Sequence, residues 1–180
     1  MKTFFLIILF SLITTSCHRN SDESPLEQLP AATQTGAHTA GCLVNGNVLI
    51  AKGDLSKIFS WGPPISANYY QYGGYNFNLS FENQKADDLP TIFVSLSNIN
   101  IEEGKTYTLS LDLKDNKKIY GYANFSNTKF FQTNEINKGE ITITKFDTKK
   151  FIVSGTFWFD AVNSTGEVVK ITDGRFDTNY

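Results

Sequence analysis

Phe151-Ile152-Val153-Ser154-Gly155-Thr156-Phe157-Trp158-Phe159-Asp160-Ala161 is the stretch that decides the fold. Phe151, Val153, Gly155, Phe157, Phe159 and Ala161 fall on alternate positions, the period of a strand with one buried face and one wet face. Trp158 falls on the opposite face, beside Thr156 and Asp160. Asn163-Ser164-Thr165-Gly166 then turns the chain, and Val169 and Ile171 run back. Upstream, Ile141, Ile143 and Phe146 form an inward set that Asp147-Thr148-Lys149-Lys150 joins to Phe151.

The same grammar extends outward. Cys42-Leu43-Val44 and Val48-Leu49-Ile50 flank Asn45-Gly46, which supplies the positive φ of a tight hairpin turn. Tyr70 and Tyr72 lead to Gly73-Gly74, then Tyr75, Phe77, Leu79 and Phe81 alternate with Asn76, Asn78 and Ser80. Ile92, Val94 and Leu96 follow, then Tyr107, Leu109, Leu111 and Leu113 after a turn at Glu103-Gly104-Lys105. Asp115-Asn116-Lys117 turns into a strand over Ile119 to Phe125, and Ser126-Asn127-Thr128 into one at Phe130-Phe131. The one helical expectation is a single turn from Asp54 to Phe59, capped by Asp54 and stopped by Gly62-Pro63-Pro64. No longer stretch has helical period. Short strands with polar turns predict an all-β fold, an antiparallel β-sandwich of about nine strands, with a closed or partly open barrel as the alternative.

The chemistry-bearing residues exclude several function classes. Net charge is −2 and the charges are interspersed, so nucleic acid is not an expected partner. The only histidines are His18 and His38, both outside the alternating region, which argues against a Ser-His-Asp or Cys-His nucleophile and against zinc. No glycine-rich phosphate loop opens a helix, so no nucleotide cofactor is expected. Asp112, Asp115 and Asn116, or Asp173 and Asp177, could cluster oxygens for calcium, but turn acids that satisfy nearby backbone donors give the same pattern, and no metal site is expected. Asp173-Gly174-Arg175-Phe176-Asp177 reads either as an arginine fork for an anion or as a glycine bulge with Arg175 paired to Asp173 or Asp177; the second is the expectation. Trp61, Trp158, Tyr120, Tyr122 and Arg175 remain as the candidate ligand-binding residues, and flat aromatics among Asn side chains suit sugar stacking.

The N-terminus carries an address. Met1-Lys2-Thr3 is basic, and Phe4 to Ile13 is apolar apart from Ser11. This stretch is too short to cross a bilayer but matches a secretory signal. Thr14-Thr15-Ser16-Cys17 resembles a bacterial lipobox, with Thr14 where leucine is usual. Cys17 would then be lipidated and become the first mature residue, and more than one acyl chain there would give stable anchoring. Cys42 is left without a cysteine partner and is expected to be a small buried hydrophobe. The organisation expected is a signal peptide over 1–16, a flexible tether over 17–40 and one β domain over 41–180. The acids Asp22 and Glu23 after Arg19 resemble the stretch that marks surface-exported lipoproteins of Bacteroidota-type bacteria.

Leu29-Pro30-Ala31-Ala32-Thr33-Gln34-Thr35-Gly36 and Gly41-Cys42-Leu43-Val44-Asn45-Gly46 resemble the start of an uncharacterised family of Bacteroidota lipoproteins. There the first run reads Leu-Pro-Pro-Ala-Thr-Gln-Thr-Gly, so Ala31 replaces a proline. Val153-Ser154-Gly155-Thr156-Phe157 through Ile171-Thr172-Asp173-Gly174-Arg175-Phe176-Asp177 is similar to that family's C-terminal hairpin. The resemblance implies an exported lipoprotein with a β-rich domain and no assigned activity, so no catalytic residue is carried over. The expectation is a non-enzymatic lipoprotein of the outer membrane, periplasmic or surface-exposed, with a binding or envelope-assembly role. Its partners would be the membrane, through the lipid, and a glycan or an envelope protein. Glycan or small apolar ligand binding through the exposed aromatics is the second reading, and a hydrolase using Asp173 and Asp177 the third.

Overall fold

A computed structural model describes residues 24–57, 62–112, 117–126 and 129–180. The strands are β1 (Thr39–Val44), β2 (Asn47–Ile50), β3 (Ile65–Gln71), β4 (Tyr75–Phe81), β5 (Thr91–Ser97), β6 (Thr106–Leu109), β7 (Ile119–Ser126), β8 (Lys129–Gln132), β9 (Gly139–Asp147), β10 (Ile152–Val162) and β11 (Val168–Asn179). No helix occurs among the described residues. Eleven strands form where about nine are expected, and the three shortest, β2, β6 and β8, have only four residues each. Cys17, Trp61 and the turn residues Asp115, Asn116, Asn127 and Thr128 lie outside the described residues.

All strand pairs are antiparallel and belong to one sheet, in the order β2-β1-β11-β10-β8-β7-β5-β4-β3. The long strand β10 forks this sheet. Its residues Ile152 to Phe159 pair with β9, while Val162 pairs with Gln132 of β8. Strand β6 then extends β9, and Ser110 bridges to Ile119 of β7. The sheet curls until strands far apart in its order face each other. Phe77 of β4 meets Phe176 of β11 at 6.3 Å, and Phe81 meets Phe157 of β10 at 6.0 Å. The chain after β2 also reaches the chain after β4, where Lys52 N donates to Glu82 O and Gln84 N to Lys52 O. Of the two architectures left open, the chain adopts the partly open barrel. Curling lets one sheet supply both walls of the core.

Inside lie Leu79, Ile92, Val94, Leu96, Ile141, Ile143, Phe159 and Ile171, all fully buried at the alternate positions the sequence predicts. Asn45 and Gly46 take φ of 49° and 83° in the β1–β2 turn, the left-handed pair that a two-residue hairpin needs. Two local expectations fail. Phe151 is 57% exposed, because the turn before it leaves it at φ 55° against Tyr180 rather than in the inward phase. Strand β6 ends at Leu109, so Leu111 is not part of a strand and Leu113 lies outside the described residues. Asp54 caps a single turn: its carboxylate accepts from Ser56 N and Oγ, and Lys57 N closes the turn onto Asp54 O, while Ile58 and Phe59 lie outside the described residues.

The tether expected over 17–40 is packed against the domain from Leu29 onward. Leu29 is buried, residues 33–37 are hydrogen-bonded to β11, and β1 begins at Thr39. Cys42 sits fully buried in the core with its thiol free, and burial pushes its pKa far up. A maleimide pulse is therefore expected to leave Cys42 unmodified in the native chain and to label it in urea. Rapid labelling without denaturant would contradict this burial.

Candidate binding hollow on the outer face of the sheet

Strand β11 carries Arg175 and Asp177 two residues apart, opposite Thr156 and Ser154 of β10. The register slips on both sides of Asp173 and Gly174, so a bulge sits in β11 between β1 and β10. Asp173 adopts φ 54° there. Gly174 must be glycine because a Cβ would stand 2.5 Å from the Phe157 ring. The bulge is inside the sheet, between β1 and β10, and it re-aims the side chains around it.

Asp177 is 1% exposed and its carboxylate is saturated. Oδ2 accepts from Thr33 Oγ1 at 2.6 Å, Thr35 N at 2.9 Å and Ala37 N at 3.1 Å. Oδ1 accepts from Gly36 N at 2.8 Å and Ser154 Oγ at 2.7 Å. Burial alone would raise this acid's pKa, but the bonds from Thr33, Thr35, Ala37 and Ser154 overcome it and hold the carboxyl well below the usual range. The segment 33–37 thus straps onto the outer face of β11 and occupies one of the two carboxylates that lie two residues from Arg175.

Arg175 is left without the ion pair expected for it. Its Nε donates to Asp173 O at 3.3 Å and one terminal nitrogen to Pro30 O at 3.4 Å, both main-chain carbonyls. Among the described residues its guanidinium has no carboxylate within salt-bridge distance, neither Asp173 nor Asp177. It lines an open hollow of about 380 Å³ with Trp158, Thr156, Asp173, Gly174 and Ala32, the residue before the strap. Trp158 is 45% exposed. The hollow therefore offers an indole, a half-buried cation, a hydroxyl and an exposed carboxylate at one place.

Tyr120 and Tyr122 lie elsewhere on the outer surface. Tyr122 stacks on Phe93 at 4.7 Å with rings 14° apart, Tyr120 stacks on both, and Phe130 leans on Tyr122 at 5.0 Å. Burial, and secondarily Tyr120, raise the Tyr122 hydroxyl's pKa. Rings stacked on one another use the faces that a sugar would need, so this strip reads as cross-strand packing on the outer face. Phe93 and Phe130 were not expected in it, although Phe93 is marked as outward by its place between Ile92 and Val94. Of the five candidates, Trp158 and Arg175 meet in one hollow, Tyr120 and Tyr122 share a separate strip, and Trp61 lies outside the described residues.

No group of three or more His, Cys, Asp or Glu side chains that could hold a metal occurs among the described residues. Asp177 is committed to the strap, while Asp115 and Asn116 lie outside the described residues.

The class defined by this geometry is an all-β domain built on one curled antiparallel sheet. Within it, a family model described as a domain of unknown function, DUF6252, matches residues 91–178, the span from β5 through β11 that includes Trp158 and Arg175. No curated protein and no solved structure matches the chain.

Proposed function

We propose that the protein is an exported lipoprotein, held on the outer membrane of a Bacteroidota-type cell by lipid on Cys17, whose β domain binds a ligand and does not catalyse. The address rests on the signal run and the lipobox-like Thr14-Thr15-Ser16-Cys17. The observation that carries the binding role is the hollow itself, where Arg175 has no carboxylate partner among the described residues and Trp158 stands exposed beside it. A half-buried guanidinium with no described carboxylate within salt-bridge distance is recognition capacity that the fold leaves unused. The hydrolase reading loses support, because Asp177 uses both oxygens to hold its own chain. The glycan reading gains it at Trp158 and loses it at Tyr120 and Tyr122, whose faces are stacked.

The anchor is tested by Cys17→Ala. Wild type is expected in the membrane fraction and the variant in the soluble exported fraction; unchanged fractionation would remove the lipid anchor. Protease shaving of intact cells then separates the two locations. Loss of the wild-type band places the domain on the cell surface, and protection places it in the periplasm.

A further inference from the structure

We infer that the Trp158–Arg175 hollow recognises an acidic saccharide, a sugar carrying a carboxylate, rather than a neutral one. The inference rests on the binding reading above and names its ligand class.

Three observations point the same way. The guanidinium is half-buried and donates to two main-chain carbonyls, Asp173 O at 3.3 Å and Pro30 O at 3.4 Å, which leave its charge unneutralised. A planar fork so held is suited to bidentate contact with a carboxylate. The carboxylate that could have paired with it two residues along the strand, Asp177, is bonded to Thr33, Thr35, Gly36, Ala37 and Ser154. The indole of Trp158 is exposed, and no ring in the described residues stacks on it, unlike Tyr120 and Tyr122. An aromatic face free of ring partners is what the apolar face of a pyranose packs on.

Asp173 narrows the choice further. Its exposed carboxylate at the rim would accept hydroxyl protons and would repel a densely charged polyanion. Thr156 adds a second hydroxyl contact on the β10 side. The volume of about 380 Å³ is at the small end for ligand sites, enough for a short saccharide and not for a folded partner. An acid, several hydroxyls and one apolar ring face describe a uronate-type sugar.

The test uses the exported Cys17→Ala chain and paired disaccharides, digalacturonate and a glucuronate-containing disaccharide, each beside its neutral methyl ester. Titration calorimetry is expected to show the acids binding at least about tenfold more tightly than the esters. Arg175→Gln should weaken the acids by about ten- to a hundredfold. Arg175→Lys keeps the charge but loses the fork, and should recover only part of that. Trp158→Ala should weaken acids and esters alike, by about tenfold. Thermal melts of each variant check that it folds.

Equal binding of acid and ester, or acid binding untouched by Arg175→Gln, overturns the inference. Binding of neutral sugars alone, lost in Trp158→Ala but kept in Arg175→Gln, overturns it while leaving the binding reading standing. Competition by inorganic sulfate as strong as by the disaccharide reduces the site to a simple anion site and also overturns it. If no disaccharide binds, the inference and the glycan version of the binding reading fall together.

Discussion

Asp177→Asn is expected to destabilise the domain by about 3–4 kcal/mol at neutral pH, the scale for leaving buried hydrogen-bonding partners of a charge mismatched. The carboxylate takes five short bonds from two sides, three of them to Oδ2. An amide in its place must turn an NH2 group toward at least one backbone N–H, so donors face donors. For a domain of this size the loss corresponds to roughly 10 °C in Tm. The wild-type acid is held below its ordinary pKa, so its stabilisation is complete above the unfolded-state pKa of about 3.9 and fades as pH falls through that value toward the depressed native one. The gap between wild type and variant should therefore be full at pH 7 and shrink below about pH 4. Limited proteolysis should also cut the variant within residues 24–38, because those bonds hold the strap down. A variant within about 1 kcal/mol of wild type at pH 7 would show that the strap is held by something else. Ala32, the residue before the strap, also lines the hollow, so the same change should weaken ligand binding without touching Arg175 or Trp158.

Gly139→Ala is expected to cost about 3 kcal/mol or more, the upper end for overpacking. Gly139 pairs with Phe159 where β9 meets β10. A Cβ there would lie 2.1 Å from Trp158 O and 2.5 Å from Phe159 Cα, and main-chain atoms cannot rotate away as a side chain can. Relief requires separating the strands, which also loosens β6, since Leu109 pairs with Gly139. Gly46→Ala is the control. A Cβ at Gly46 meets nothing within 4 Å and only the positive φ of 83° is strained, so the cost should be about 1–2 kcal/mol. Urea midpoints for the two variants, taken with their m-values, give the comparison. Equal midpoints would mean that the sheet adapts at Gly139 more readily than its geometry allows.

Much of this was legible in the residues. Phe157, Phe159 and Ala161 point inward as their spacing requires, and Asn45-Gly46 makes the hairpin turn its φ preference demands. The aromatic strip was half legible: Phe93 lies in the outward phase, but alternation does not say which outward rings are neighbours across β5 and β7. The strap was not legible at all. Leu29 to Ala37 has the polar composition of a linker, and the bonds that hold Thr33 to Ala37 down come from one carboxylate about 140 residues away in the chain.

The alternating pattern by itself determined that the chain is all-β, which side chains form the core, and where most hairpins turn. Those properties are set by interactions within a strand and its turn, within a few residues of each other. Only the tertiary structure decided that one curled sheet replaces two facing ones, that Asp177 belongs to the strap and not to Arg175, and that Arg175 and Trp158 share a hollow. Each of these depends on which distant segments meet when the sheet curls and a main-chain N–H finds its acceptor. A period of two carries no record of that choice.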